Sequence, residues 1–97
     1  MAWACVRKDA VEVEGESLRH FDSSETVERS FCGRCGTSLT FRDREYAEKI
    51  YVAVAALEDA ESCAPAFHIW RSDRLSWIDG MDSLPRYLQF KRDGLVE

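Results

Sequence analysis

The tightest constraint on this chain is the hexapeptide Phe31-Cys32-Gly33-Arg34-Cys35-Gly36, a C-x-x-C with a glycine behind its second cysteine. A two-residue gap lets both sulfurs point at one centre about 2.3 Å away at tetrahedral angles. Gly33 and Gly36 let the turn fold its amide N–H groups toward the sulfurs, and Arg34 adds a positive charge beside them. The pair is therefore a candidate zinc knuckle, with Cys32 and Cys35 as metal ligands. A structural zinc takes four ligands. The remaining soft donors are Cys5, Cys63, His20 and His68, and none of them sits in a second close pair.

Three rival readings of the pair stay open. In a C-G-x-C redox pair the first cysteine usually opens a helix whose N-terminus lowers its pKa; here Gly36 and a threonine-rich stretch follow. A nucleic-acid zinc ribbon needs a second C-x-x-C and a basic surface. The plainest reading is two ordinary cysteines in a hairpin turn. Cys5, in an apolar stretch, reads as a small core residue. Cys63, before Ala64-Pro65, reads as an incidental loop thiol, His20 as a solvent-facing side chain, and His68 as part of an aromatic cluster with Phe67 and Trp70.

The totals favour metal over disulfide. With 97 residues the chain predicts one small domain over 1–97, of a size that often needs a metal or a partner for stability. Its 45% hydrophobic and 32% charged residues suit a globular fold. A net charge of −5 argues against broad binding to nucleic acid or anionic membranes. The longest apolar run, near 52–57, is too short to span a bilayer, and the first residues lack the pattern of a signal peptide. The expected location is cytoplasmic, where thiols stay reduced.

Apolar and β-branched alternation predicts strands at 3–7, 11–13, 18–21, 27–31, 37–41 and 50–54, the last dense enough to be central. Gly15 and Asp22-Ser23-Ser24 mark turns. Residues 43–48 read as a helical turn or polar loop, and Glu58, Asp59 and Glu61 as a solvated connection. Beyond Pro65, 67–70 reads as a strand and 75–78 as a strand or irregular stretch. Asp82-Ser83-Leu84-Pro85 reads as the start of a short helix, and 91–97 as a frayed tail. The fold class expected is mainly β, with antiparallel pairing.

Several pieces together resemble one family. They are Phe21-Asp22-Ser23-Ser24, the run Arg29-Ser30-Phe31-Cys32-Gly33-Arg34-Cys35-Gly36-Thr37-Ser38-Leu39, Leu57-Glu58-Asp59, Pro65-Ala66-Phe67-His68-Ile69-Trp70, and Trp77. In order and spacing they resemble the glutathione-dependent formaldehyde-activating enzymes, a family that includes the centromere protein V group. The resemblance implies a β-tent fold, antiparallel strands around a C-x-x-C zinc knuckle. It implies a structural four-cysteine zinc whose second pair is matched by Cys32 and Cys35. It also implies a catalytic zinc held by a C-x-C-x-x-C cluster, open to a thiolate such as glutathione. The implied chemistry makes or breaks a carbon–sulfur bond, as in S-hydroxymethylglutathione and formaldehyde.

Against that pattern the chain is expected to be N-terminally truncated, starting after the first structural pair and the catalytic cluster, and Cys5 matches neither. The catalytic residues are therefore unknown. The expectation is a zinc-dependent carbon–sulfur lyase-like protein, incomplete as this chain, with glutathione or a related thiol adduct as partner and neither nucleic acid nor membrane. The alternative is a non-catalytic zinc-binding module, a homodimer in which two copies share one zinc through Cys32 and Cys35. A further reading is a misassigned start, which in-frame upstream C-x-C and C-x-x-C codons would reveal. Arg29 either holds an anion such as a glutathione carboxylate or, the favoured reading, makes an ion pair on its strand. Trp70 and Trp77 either wall a pocket or, as favoured, fill the core. Ser23-Ser24 has no nearby His–Asp pair for a serine nucleophile.

Overall fold

The computed structural model describes residues 1–90 and 95–96. The chain forms two compact units, Met1–Ala66 and Phe67–Glu97.

The first unit is a five-stranded antiparallel sheet in the order β1-β5-β4-β3-β2. Its strands are β1 (Trp3–Arg7), β2 (Leu18–Asp22), β3 (Val27–Cys32), β4 (Ser38–Asp43) and β5 (Lys49–Ala53). Mainly β architecture with antiparallel pairing is thus what the chain adopts. Strands β2 to β5 follow one another as a meander, and β1 closes on the outer side of β5. β5 is interior, as its density of apolar residues predicts. It stops at Ala53 because Val54 opens a 3-10 turn and gives its N–H to the Ala2 carbonyl at 3.0 Å. The alternation at 11–13 forms no strand. Val11 instead closes a turn on the Lys8 carbonyl, since three alternating residues without a ladder partner have nothing to pair with. Residues 44–46 do form the helical turn expected there, with the Asp43 carboxylate accepting from the Glu45 N–H at 3.0 Å.

Register decides which side chains share a face. One rung runs Cys5, Tyr51, Phe41, Arg29, Phe21 across all five strands. On that face Phe41 stacks on Tyr51 with ring centroids 4.4 Å apart, and meets Trp3 edge-on at 4.7 Å. The neighbouring rung, Ala4, Val52, Thr40, Ser30, His20, points to the other side of the pleat. There Ser30 and Thr40 are buried and hydrogen-bonded to each other. With Ile50 and Ala53 they are the buried residues among those described. Further along the same side, Glu28 meets His20 at 3.3 Å, Arg42 at 3.5 Å and Arg44 at 3.4 Å.

The ladder between β3 and β4 slips after Ser30↔Thr40. Phe31 pairs with Ser38, and Leu39 is the extra residue of a bulge. A bulge re-aims the chain locally, and this one turns Ser38 onto the aromatic face beside Phe31.

The second unit departs most from expectation. Residues 67–70 form no strand, because Trp70 sits in left-handed backbone at φ 58°, which ends any extended run. Two 3-10 segments follow, Arg71–Asp73 and Ser76–Ser83, so the stretch at 82–85 closes a helix where one was expected to open. A two-rung ladder pairs β6 (Arg86–Tyr87) with β7 (Leu95–Val96). Trp70 is 76% exposed and Trp77 59%, so neither is core, and His68 joins no aromatic cluster among the described residues. Short 3-10 segments and a two-rung ladder provide no apolar layer to bury such rings. The tail expected at 91–97 lies outside the described residues apart from Leu95–Val96. No helix among the described residues is long and apolar enough to cross a membrane.

Candidate thiol site

β3 ends at Cys32 and β4 begins at Ser38, so the C-x-x-C occupies the tip between two paired strands. Backbone bonds hold that tip. The Cys32 N–H donates to the Thr37 carbonyl at 2.9 Å, and the Gly36 N–H to the Cys32 carbonyl at 2.8 Å. Gly36 has φ 80°, a conformation that costs a residue with a Cβ about 1–2 kcal/mol. The Gly33 N–H donates to the Ser17 carbonyl at 2.6 Å, tying the tip to the loop before β2. A Cβ on Gly33 would lie 2.8 Å from Arg19 Cγ and 3.1 Å from the Ser17 carbonyl oxygen, so this approach needs glycine.

Cys32 is half-buried and Cys35 exposed. Thr37 Oγ1 lies 3.0 Å from Cys35 Sγ. That hydroxyl, then the Thr37 backbone, then the Cys32 thiol hold the Cys35 pKa below the ordinary thiol range. A lowered folded-state pKa favours folding above the unfolded thiol pKa, and the contribution fades as pH falls through the lowered value. Thr37→Val is therefore expected to raise the Cys35 pKa and slow its alkylation by iodoacetamide near neutral pH, with Thr37→Ser close to wild type. Peptide mapping of labelled protein reads this directly; equal rates for wild type and Thr37→Val would discard the role given to the hydroxyl.

The other soft donors do not join the pair. Cys5 is exposed beside Tyr51, whose phenol it pushes up, and is not the core residue its apolar neighbours suggested. Alternation places it on the aromatic face at an edge strand, where little covers it. Cys63 caps the 3-10 turn Ala60–Ser62, with Sγ 3.8 Å from Ser62 Oγ. His20 is exposed and faces Glu28, and His68 is exposed in the second unit. Among the described residues no three His, Cys, Asp or Glu side chains converge on a metal-sized centre. Of the four ligands that a structural zinc takes, the described residues offer two in this turn.

A shallow depression of ≈ 250 Å³ opens on the aromatic face; its lining includes Trp3, Phe21, Arg29, Phe31, Gly36 and Ser38. It runs from the knuckle at Gly36 to Arg29. Arg29 makes no ion pair among the described residues, contrary to the favoured reading. Its Nε donates to Ser23 Oγ at 3.2 Å, and its guanidinium lies 5.2 Å from the Phe41 centroid. The reason is alternation: Glu28 and Asp22 pair with each other on the adjacent rung and face the opposite side of the sheet. Nothing local in the sequence marks this pocket, since it needs Phe21, Arg29 and Phe41 set opposite one another by register.

The fold and site define a β-rich domain that presents a clamped dithiol turn beside an aromatic groove. The family model for the glutathione-dependent formaldehyde-activating enzyme matches residues 1–73, which include the whole five-stranded sheet, and the chain belongs to that family. Membership relates it to glutathione-dependent formaldehyde activation. No curated protein and no solved structure matches the chain.

Proposed function

We propose that the chain binds glutathione or a thiol adduct derived from it along the aromatic face. In this reading it is a zinc-dependent carbon–sulfur lyase-like protein of S-hydroxymethylglutathione chemistry that does not turn over by itself. The observation carrying this is the depression that joins the dithiol knuckle to an arginine without a carboxylate partner among the described residues. Glutathione carries a carboxylate at each end and a sulfur between them. A guanidinium fork suits such a carboxylate, and Trp3, Phe21 and Phe31 supply apolar walls for the rest. A cytoplasmic setting, where glutathione keeps thiols reduced, fits the same reading.

Cys32 and Cys35 are the residues that would hold zinc, which when bound keeps a coordinated thiol deprotonated. A catalytic zinc takes three protein ligands and one open position, whereas this turn offers two cysteines and no third donor joins them among the described residues. That argues for binding without turnover. NMR of formaldehyde and glutathione with zinc and the chain is expected to show S-hydroxymethylglutathione forming no faster than spontaneously; a faster rate would overturn the inactive assignment. Calorimetry with glutathione is expected to show binding that Arg29→Met weakens about tenfold, the loss of one exposed charge-assisted hydrogen bond. Equal affinity in wild type and variant would remove Arg29 from the site.

A further inference from the structure

We infer that the depression selects its ligand by the glycyl end. Thiols whose free carboxylate lies one residue beyond the thiol-bearing residue bind with that carboxylate on Arg29 and their sulfur toward the turn at 32–36. This direction rests on the adduct reading and adds to it a polarity and a class of ligand.

Three observations carry it. The first is how Arg29 is held. Its Nε donates to Ser23 Oγ at 3.2 Å, and the Ser23 hydroxyl donates its own proton to the Val27 carbonyl at 3.4 Å. The Ser23 oxygen therefore meets the guanidinium as an acceptor. The guanidinium lies over the Phe41 ring, 5.2 Å from its centroid. One edge and one face of the fork are thus taken. The two terminal nitrogens remain, and they suit a carboxylate bound end-on through two parallel N–H···O bonds.

The second is charge. Arg29 is the one charged side chain among the described residues that line the depression. The two ends of glutathione bring different groups to that cation. The glycyl end is a carboxylate alone. The γ-glutamyl end carries an ammonium on the same carbon as its carboxylate, so seating it on Arg29 sets two cations side by side, where they repel. An acid beside the arginine would be needed to offset that. Asp22 and Glu28 face the opposite side of the sheet, where Arg44 holds them at 2.6 and 3.4 Å.

The third is reach. Arg29 and Cys32 are three residues apart on β3, and at about 3.3 Å per residue this covers roughly 10 Å. A two-residue cysteinyl-glycine unit extends to about 7 Å, and the hydrogen bond to a guanidinium adds about 2.8 Å. A carboxylate on the cysteine itself, as in γ-glutamylcysteine, stops one residue short. The γ-glutamyl arm is long enough, and charge decides against it.

The test is calorimetry in oxygen-free buffer with four thiols: glutathione, glutathione esterified at its glycyl carboxylate, cysteinylglycine and γ-glutamylcysteine. Cysteinylglycine is expected to bind within about threefold of glutathione, and the ester and γ-glutamylcysteine about tenfold more weakly. Arg29→Met is expected to bring glutathione and cysteinylglycine down to the level of the ester. Ser23→Ala is expected to narrow the ratio of glutathione to its ester about threefold, the loss of one hydrogen bond that positions Arg29, and Ser23→Thr to keep the ratio. That ratio does not move with a general loss of folded protein. An ester that binds as tightly as glutathione would overturn the inference and leave the adduct reading standing. So would γ-glutamylcysteine matching glutathione while cysteinylglycine falls tenfold, or a ranking that survives Arg29→Met. A ratio unmoved by Ser23→Ala would overturn the positioning role of Ser23. If none of the four thiols binds, the adduct reading itself falls, and the inference with it.

Discussion

Phe41→Ala is expected to destabilise the sheet by about 3 kcal/mol, the lower end of the range for a core phenylalanine because the ring is half-buried. Phe41 sits on β4, the middle strand. Its ring joins three others in one contact group: Tyr51 stacked at 4.4 Å, Trp3 edge-on at 4.7 Å, and the Arg29 guanidinium 5.2 Å from its centroid. Each aromatic pair contributes roughly 0.5–1.5 kcal/mol beyond the area it buries. A chain of this size has about 5–15 kcal/mol of stability in all, so the loss is a large share. It corresponds to a drop in Tm of roughly 12–24 °C. Urea unfolding followed by the tryptophan signal measures it. A cost under about 1 kcal/mol would mean that the stack decorates the sheet without holding it. The same variant removes the surface under Arg29, so glutathione binding is expected to weaken with it.

The second large effect is expected at the buried hydroxyl pair. Ser30 and Thr40 lie opposite each other on β3 and β4, both buried, each satisfying the other. Removing one hydroxyl strands its partner without water, at a cost of roughly 1–3 kcal/mol. Ser30→Ala and Thr40→Val are each expected to cost about 2 kcal/mol. The double variant leaves no orphan, so it is expected to be no less stable than either single one, a coupling of about 2 kcal/mol. Denaturant midpoints for the four proteins of the cycle decide it. Simple additivity would show that the two hydroxyls do not act as a pair.

Local chemistry was legible wherever it is contained in a few residues. Period-two alternation located all five strands of the sheet to within one or two residues, because each is an apolar or β-branched run bounded by turn residues. The turn at 32–36 was legible for the same reason: two glycines at fixed spacing suit the backbone bonds that close it. The failures share one cause. Residues 11–13 and 67–70 alternate as strands do, yet a strand exists only if another strand is placed beside it. Trp70 looks like core in the sequence and is 76% exposed, because burial depends on what the fold lays over it.

Arg29 shows the division most clearly. Among the described acids, the sequence alone suggests many partners for it. The register instead sets Phe21 and Phe41 on either side, and a one-residue slip of β2 would have put Asp22 opposite and made the ion pair. By itself, then, the sequence determined the strands, the dithiol turn and the family, since short-range spacing encodes all three. Only the tertiary structure decided that Arg29, with no carboxylate partner among the described residues, faces the groove and that no third donor among those residues joins Cys32 and Cys35. Both depend on which distant segments pair and in what register, and no local spacing records that.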